Sequence, residues 1–388
     1  MMNKTRLSGL VAVWLALTGC VSTPTAGPSA PRTGDPVIDG QAAISRATPR
    51  ERVLWQYRTA AAAMRRGQYR EAKQLLDDAL LTLNGIFGAN KDAKRARSYF
   101  SEEAKKTFVG EPYERVMANY YRGILYWMDG EPDNARACFK SGEYEDSDAE
   151  NKEYSQDYVL LEYLDGLATV KLGGDGTDRL NAAQAVSRMA KPPPYHAKAN
   201  ALFFVEFGRG PTKYAAGQHQ EELRFRPGHS DASQAVIRIG DQTATALAYD
   251  DLSFQATTRG GRVMDHILGN KAVFKSTADT VGNAALVSGA VVGMSGKSDE
   301  AALGLALFGL ASKIVSAATK PKADTRCWDN LPQYLGFAAL ELPPGEHTAT
   351  VEFQDGAGQT VSSLTKTVKF SIPTEPKDAV IFLSDQNQ

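Results

Sequence analysis

The chain has 388 residues, enough for two or three domains with full cores. Its apolar content of 43% is ordinary for a globular protein. Forty-four basic residues against 45 acidic ones give a net charge of −1 with no block of like charge, which argues against nucleic acid as a partner.

The first element is a targeting segment. Lys4 and Arg6 make a short basic start, Leu7 to Leu17 form an apolar run, and the run closes on Leu17-Thr18-Gly19-Cys20. A basic start, a short apolar stretch and small residues before a cut are the marks of a secretory signal. The run is too short to remain as a spanning helix. The close of the run resembles the lipobox of bacterial lipoproteins. That resemblance implies removal of residues 1–19, a diacylglycerol on the Cys20 thiol and an acylated new amine. Several acyl chains would anchor the protein stably in a lipid bilayer, where one would hold it only marginally. Val21, a non-acidic residue after the Cys, implies sorting to the outer membrane with the chain facing the periplasm. An ordinary signal peptide with an incidental Cys is the alternative. Residues 20–45 carry Pro24, Pro28, Pro31 and Pro36 among Ser, Thr, Gly and Ala, which reads as an extended tether.

Residues 46–195 read as helical repeats. Gly67-x-Tyr69-x-x-Ala72, with Leu76 and Ala79, recurs as Gly130-x-Pro132-x-x-Ala135, with Phe139 and Gly142. Seven residues before each Gly stands another small residue, Ala60 and Gly123, and Gly166 with Gly173 begins a weaker third copy. The pattern resembles the tetratricopeptide repeat, in which small residues let two antiparallel helices approach and a large apolar residue fills the seam. The copies depart from the family's spacing, so the stretch between Asn84 and Pro112 is expected to hold an extra helix.

Residues 196–388 read as a small β domain with an inserted helical hairpin at about 277–319. Strands are expected at Leu202–Phe207, Ala235–Ile239, Ala246–Phe254, His347–Phe353, Gln359–Phe370 and Ala379–Leu383, with a turn at Asp355-Gly356-Ala357-Gly358. The hairpin carries Gly289 and Gly293 at a spacing that lets helix backbones touch. It reads as a close-packed pair against the β domain or against another copy of the chain, with membrane insertion as the minority reading. The fold class expected is thus α+β: an irregular tetratricopeptide-like α-solenoid, then the β domain. Cys138 and Cys327 could pair in an oxidising compartment, or Cys138 could serve as a small buried hydrophobe.

Taken together, the lipobox, the irregular repeats and the β tail resemble a family of uncharacterised bacterial lipoproteins. The pieces that carry the resemblance are Glu111-Pro112-Tyr113-Glu114-Arg115, Phe204-Val205-Glu206-Phe207-Gly208-Arg209-Gly210-Pro211, Arg326-Cys327-Trp328-Asp329-Asn330-Leu331-Pro332 and Pro344-Gly345-Glu346-His347-Thr348. The resemblance implies repeats, lipid anchoring and an envelope location, and no reaction.

Chemistry-bearing motifs are scarce. The five His form no i, i+4 pair and there is no Cys-x-x-Cys, so neither metal nor cofactor is expected. Gly296-Lys297-Ser298 mimics the end of a phosphate loop, but Val291 stands where that loop needs Gly. The stronger candidates are aromatic. Tyr57, Tyr120 and Tyr163 each stand three residues before the small residue of their repeat, and Ile124 and Trp127 follow Tyr120 along one helix face. Such a face lines the groove that takes peptides in tetratricopeptide proteins, and aromatics with a polar tip suit that task. Equally, apolar residues at helical spacing are usually core. Arg209, Arg326 and Trp328 complete the candidates, the arginines as partners for a carboxylate or a ring, or as braces between domains. The expected function is a non-catalytic periplasmic adaptor that holds an envelope protein or peptide near the membrane. The rivals are a homo-oligomerising subunit of an envelope assembly or export complex, and an envelope enzyme.

Overall fold

A computed structural model of the protein describes residues 32–88, 107–147, 154–218, 220, 222–258 and 323–386. The signal segment, Cys20 and the hairpin with Gly289 and Gly293 lie outside the described residues. The fold is α+β, with helices in the N-terminal half and a nearly closed mixed sheet after them.

Helix α1 (Pro36–Arg46) begins inside the stretch expected to be an extended tether. Proline at the first helical position needs no N–H donor, and the Asp35 side chain accepts from Val37 N at 2.8 Å and Ile38 N at 3.2 Å. The Pro-rich region therefore ends in a capped helix. Then follow α2 (Arg52–Arg65), α3 (Tyr69–Gly88), α4 (Pro112–Asp129), α5 (Pro132–Asp146), α6 (Val159–Lys171) and α7 (Thr177–Val186). Each packs on the next in the chain.

The small residues of the repeat pattern have a steric job. A Cβ on Gly123 of α4 would sit 2.5 Å from the Phe139 ring of α5, and one on Gly142 would sit 3.0 Å from Leu161 of α6. The Gly that precedes each second helix has positive φ, +69° at Gly67 and +83° at Gly130, where a side chain would be strained.

The sheet contains β1 (Ala201–Phe207), β4 (Gln234–Ile239), β5 (Gln242–Asp251), β6 (Tyr334–Leu340), β7 (Gly345–Gln354), β8 (Lys366–Ile372) and β9 (Ala379–Ser384). Their spatial order is β8-β7-β4-β5-β6-β1-β9, antiparallel throughout except for the parallel pair β1–β9. The sheet curls until its edges meet, where Lys366 Nζ donates to Ser384 O at 2.5 Å. Strands β2 (Thr212–Ala216) and β3 (Glu222–Arg226) form a separate hairpin.

Every residue of β1 is buried because both of its faces are covered. Phe203, Val205 and Phe207 join Ile237, Val351 and Phe353 inside the curl, while Leu202 and Phe204 face the helices. That explains an unbroken apolar run where a half-exposed strand would alternate.

Two expected strands differ in their bounds: β5 is shifted, running Gln242–Asp251, and β8 is shorter, running Lys366–Ile372. The Ala246–Phe254 strand stops at Asp251, whose side chain accepts from Ser253 N at 2.8 Å and starts a short helix, α8 (Leu252–Thr257). In the Gln359–Phe370 segment a 3₁₀ turn at Ser362–Leu364 comes before β8.

Candidate functional site

The first helix of each pair, α2, α4 and α6, contacts the strands of the sheet, and the second helices lie outside. This decides the fate of the aromatic face. Tyr57, Tyr120, Ile124, Trp127, Tyr163 and Trp328 are all at most 3% exposed. Tyr120 and Trp127 meet Phe204 of β1 at ring distances of 6.3 and 6.5 Å, and Tyr163 meets Phe337 of β6 at 5.9 Å. Tyr57 stacks on Trp328 at 4.4 Å with 19° between planes. The Trp127 indole donates to Asp378 at 2.9 Å, tying α4 to the loop before β9. The expectation that these side chains line an open groove is corrected: the chain's own sheet and Trp328 segment fill that face. Burial of each ring contributes about 1.5–3 kcal/mol, which is more than an open aromatic groove in water would give.

Arg209 and Arg326 end up apart in role. Arg209 is exposed, and its backbone exchanges hydrogen bonds with His229, each at 2.8 Å. Arg326 forks onto Asp324, with Nη2 to Oδ2 at 2.6 Å, and its Nη1 donates to Arg50 O at 2.9 Å. Cys138 and Cys327 are unpaired thiols, and burial pushes each up to about 11.

Two of the four segments singled out in the sequence, 111–115 and 326–332, converge at one place, joined by Lys213 just past a third. Glu111 caps α4 and Glu114 closes the capping box, accepting from Glu111 N at 2.7 Å. The other oxygen of Glu114 accepts the Trp328 backbone N–H at 2.7 Å. Lys213, on β2 just past Pro211, brings its ammonium onto Glu114, lies 3.9 Å from Glu111 and donates to Arg326 O at 3.1 Å. A single buried carboxylate thus ties a helix start, a β-hairpin and the segment before β6. Burial works against the charge of Lys213, yet the Glu114 and Glu111 carboxylates outweigh it and hold the ammonium above its usual range. The Cys327 thiol and the Tyr113 hydroxyl stand 3.7 Å apart at the edge of this cluster.

The junction opens to solvent as a cleft. Two hollows, of about 450 and 460 Å³, share Trp55, Arg58 and Asp329. One reaches Lys213, Arg326 and Cys327, and the other runs along α1 past Asp39 and Arg46. The floor is a stripe of α2, with Glu51, Trp55, Arg58 and Ala62 at successive turns. Arg58 lies 5.0 Å over the Trp55 ring, bonds Asp329 at 2.8 Å and donates to Cys327 O at 2.7 Å.

Neither a family model nor a curated protein nor a solved structure matches this chain.

Sequence reasoning missed Lys213, Trp55 and Arg58. The last two had a local signal, an aromatic and a cation three apart on one helix. Lys213 had none, because its partner lies about a hundred residues earlier. Two further charge networks were also missed. Arg65 pairs with Glu206 at 2.8 Å, both at most 2% exposed, and Tyr121 donates to the same carboxylate. Between α5, α6 and α7, Arg179 bridges Glu162 at 2.8 Å and Asp165 at 3.0 Å. Both read as charge pairs that hold elements together. Among the described residues no cluster of metal-ligating side chains occurs, and no helix is long and apolar enough to cross a membrane.

Proposed function

We propose that this protein is a lipid-anchored adaptor of a bacterial envelope, held at the outer membrane through Cys20 and holding a partner protein or peptide from the periplasmic side. The observation that carries the reading is the position of the open cleft. Arg32, where the described chain begins, is part of its lining, so the Cys20 tether enters the folded part at the cleft itself. The twelve residues from Cys20 to Arg32 reach at most roughly 40 Å when extended. A partner seated there stays close to the bilayer, and its local concentration rises accordingly.

The tetratricopeptide-like reading of the helices belongs to the same proposal. It is supported by Gly123 against Phe139, and by the alternation of helices that face the sheet with helices that do not. In this reading the repeats hold their own β domain where a free repeat protein holds a peptide. The partner then docks on the cleft side and leaves the aromatic face alone.

The test is site-specific photocrosslinking in intact cells, with the crosslinker on exposed positions around the molecule, followed by mass spectrometry. A dominant envelope protein, lost when Cys20→Ser releases the chain from the membrane fraction, supports the adaptor. Crosslinks only between copies of the chain would replace it with an oligomeric assembly subunit.

A further inference from the structure

Three carboxylates share one guanidinium where α5, α6 and α7 meet. Arg179 of α7 places Nη1 2.8 Å from Glu162 and Nε 3.0 Å from Asp165, both on α6, and the same Nη1 lies 3.6 Å from Glu143 of α5. The three acidic side chains are at most 8% exposed, whereas Arg179 is 38% exposed. Asp165 has further help from two wet cations of α5, Arg136 at 2.6 Å and Lys140 at 4.0 Å. Glu143 has the poorest share. Its Oε2 reaches Arg179 only at the long distance, its Oε1 is buried without a hydrogen-bond partner, and the last turn of α5 holds no basic residue. The negative end of the helix dipole adds to the repulsion there. Carboxylates crowded into one dry site do not all ionise. The proton falls to Glu143: burial and the Glu162 and Asp165 charges push its carboxyl from 4.5 up to about 8, against the pull of Arg179 and Lys140.

We infer that Glu143 is a pH-operated fastener for α7: it carries a proton while α7 is docked and gives it to solvent when α7 lifts away. The packing makes α7 the element that can leave. A Cβ on Gly166 of α6 would collide with Tyr195 Oη and stand 2.8 Å from Arg179 Cβ, so α7 and the segment after it rest directly on α6. Of the ten residues of α7 only Ala183 is buried, and its N-cap, Gly176, has no side chain to cap with. An element with so few buried contacts opens far more readily than the core. Lifting it hands Glu143, Glu162 and Asp165 to water, where Glu143 ionises in the ordinary carboxylate range. Docking therefore takes up a proton. The equilibrium constant for lifting rises with pH between 4.5 and about 8, by at most about tenfold per unit, and levels off above. Three other titratable groups border this face. Asp146, one turn further along α5, is tied by Gln156 N at 2.7 Å, and burial pushes the Tyr195 hydroxyl up, out of this window. Asp157, 3.8 Å from Arg188 just after α7, is pushed up to about 6, so its part is separated by substitution.

The test is hydrogen exchange read by mass spectrometry on the full-length chain in neutral detergent. It compares about pH 5.5 with about pH 8, with rates corrected for the intrinsic pH dependence of amide exchange. Opening of residues 177–186 should rise at least about tenfold from the lower to the higher pH, while β1 stays protected at both. Glu143→Gln keeps the shape and cannot ionise, so its opening should change less than about twofold over the same span. Glu162→Gln removes one competing charge and should reduce the rise about threefold. Asp157→Asn should leave the rise in place. Opening that does not depend on pH in the parent chain overturns the inference, whatever the variants do. So does a rise that survives Glu143→Gln, or one abolished by Asp157→Asn, which would make the Arg188 contact the fastener. A charge cluster that only stabilises the whole fold would open α7 and β1 together, and that result refutes the inference as well.

Discussion

Replacing Lys213 with Met tests whether the Glu114 cluster holds the two halves of the molecule together. The Lys213 side chain is 1% exposed and that of Glu114 is 0%. Methionine fills much the same volume without the charge, so packing changes little while Glu114 and Glu111 are left buried with no ammonium between them. Removing one partner of a buried pair costs about 3–5 kcal/mol. At about 2–4 °C per kcal/mol, typical for domains somewhat smaller than this chain, Tm should fall by roughly 6–20 °C. The assay is thermal melting of the full chain in detergent at neutral pH, followed by circular dichroism. Two further measurements separate electrostatics from packing. Lys213→Met combined with Glu114→Gln removes both charges and keeps an acceptor for the Trp328 N–H, so it should recover at least half of the loss. Acidification should recover part of the single variant's loss, because protonation neutralises the stranded carboxylate. A single variant that melts within about a degree of the parent, or a double variant less stable than the single one, would refute the reasoning.

The other expectations are simpler. Gly123→Val forces a branched side chain onto the Phe139 ring, where even a Cβ would stand at 2.5 Å, and should cost about 1–3 kcal/mol or more in a denaturant titration. Trp328→Ala empties a fully buried site against Tyr57 and should cost about 3–5 kcal/mol, with earlier proteolysis in the segment before β6 as a second readout. Asp250 gives a pH prediction. Burial pushes its carboxyl from 3.8 up to about 7, although Val159 N and Leu160 N donate to it and pull the other way. A raised carboxyl contributes stability that is complete below its unfolded pKa and is lost as pH rises through its folded value. Asp157 and Asp385, pushed to about 6, act in the same direction. Melting temperature should therefore fall between about pH 4 and about pH 7, and Asp250→Asn should flatten that slope.

The legible parts of this chain were those decided within a few residues. The strand at Leu202–Phe207 shows itself as an apolar run, the turn at Asp355–Gly358 as its loop chemistry, and the helix pairs as small residues spaced seven apart. What stayed hidden was which surface of one element meets which surface of another. Tyr57, Tyr120 and Tyr163 share an equivalent position because all three helices present the same face, and that much the spacing shows. Whether a partner or the chain itself covers that face depends on a sheet assembled from strands as far apart as β1 and β9, and no local pattern encodes it. The cluster at Glu114 teaches the same lesson. Glu114 and Trp328 stood in separate recognisable segments and Lys213 in none, and their common cause appears only when Lys213 and Trp328 are seen on one carboxylate. The segments at 111–115 and 326–332, far apart along the chain, are parts of one buried joint. What that joint leaves open to solvent is the stripe of Trp55 and Arg58 beside Asp329.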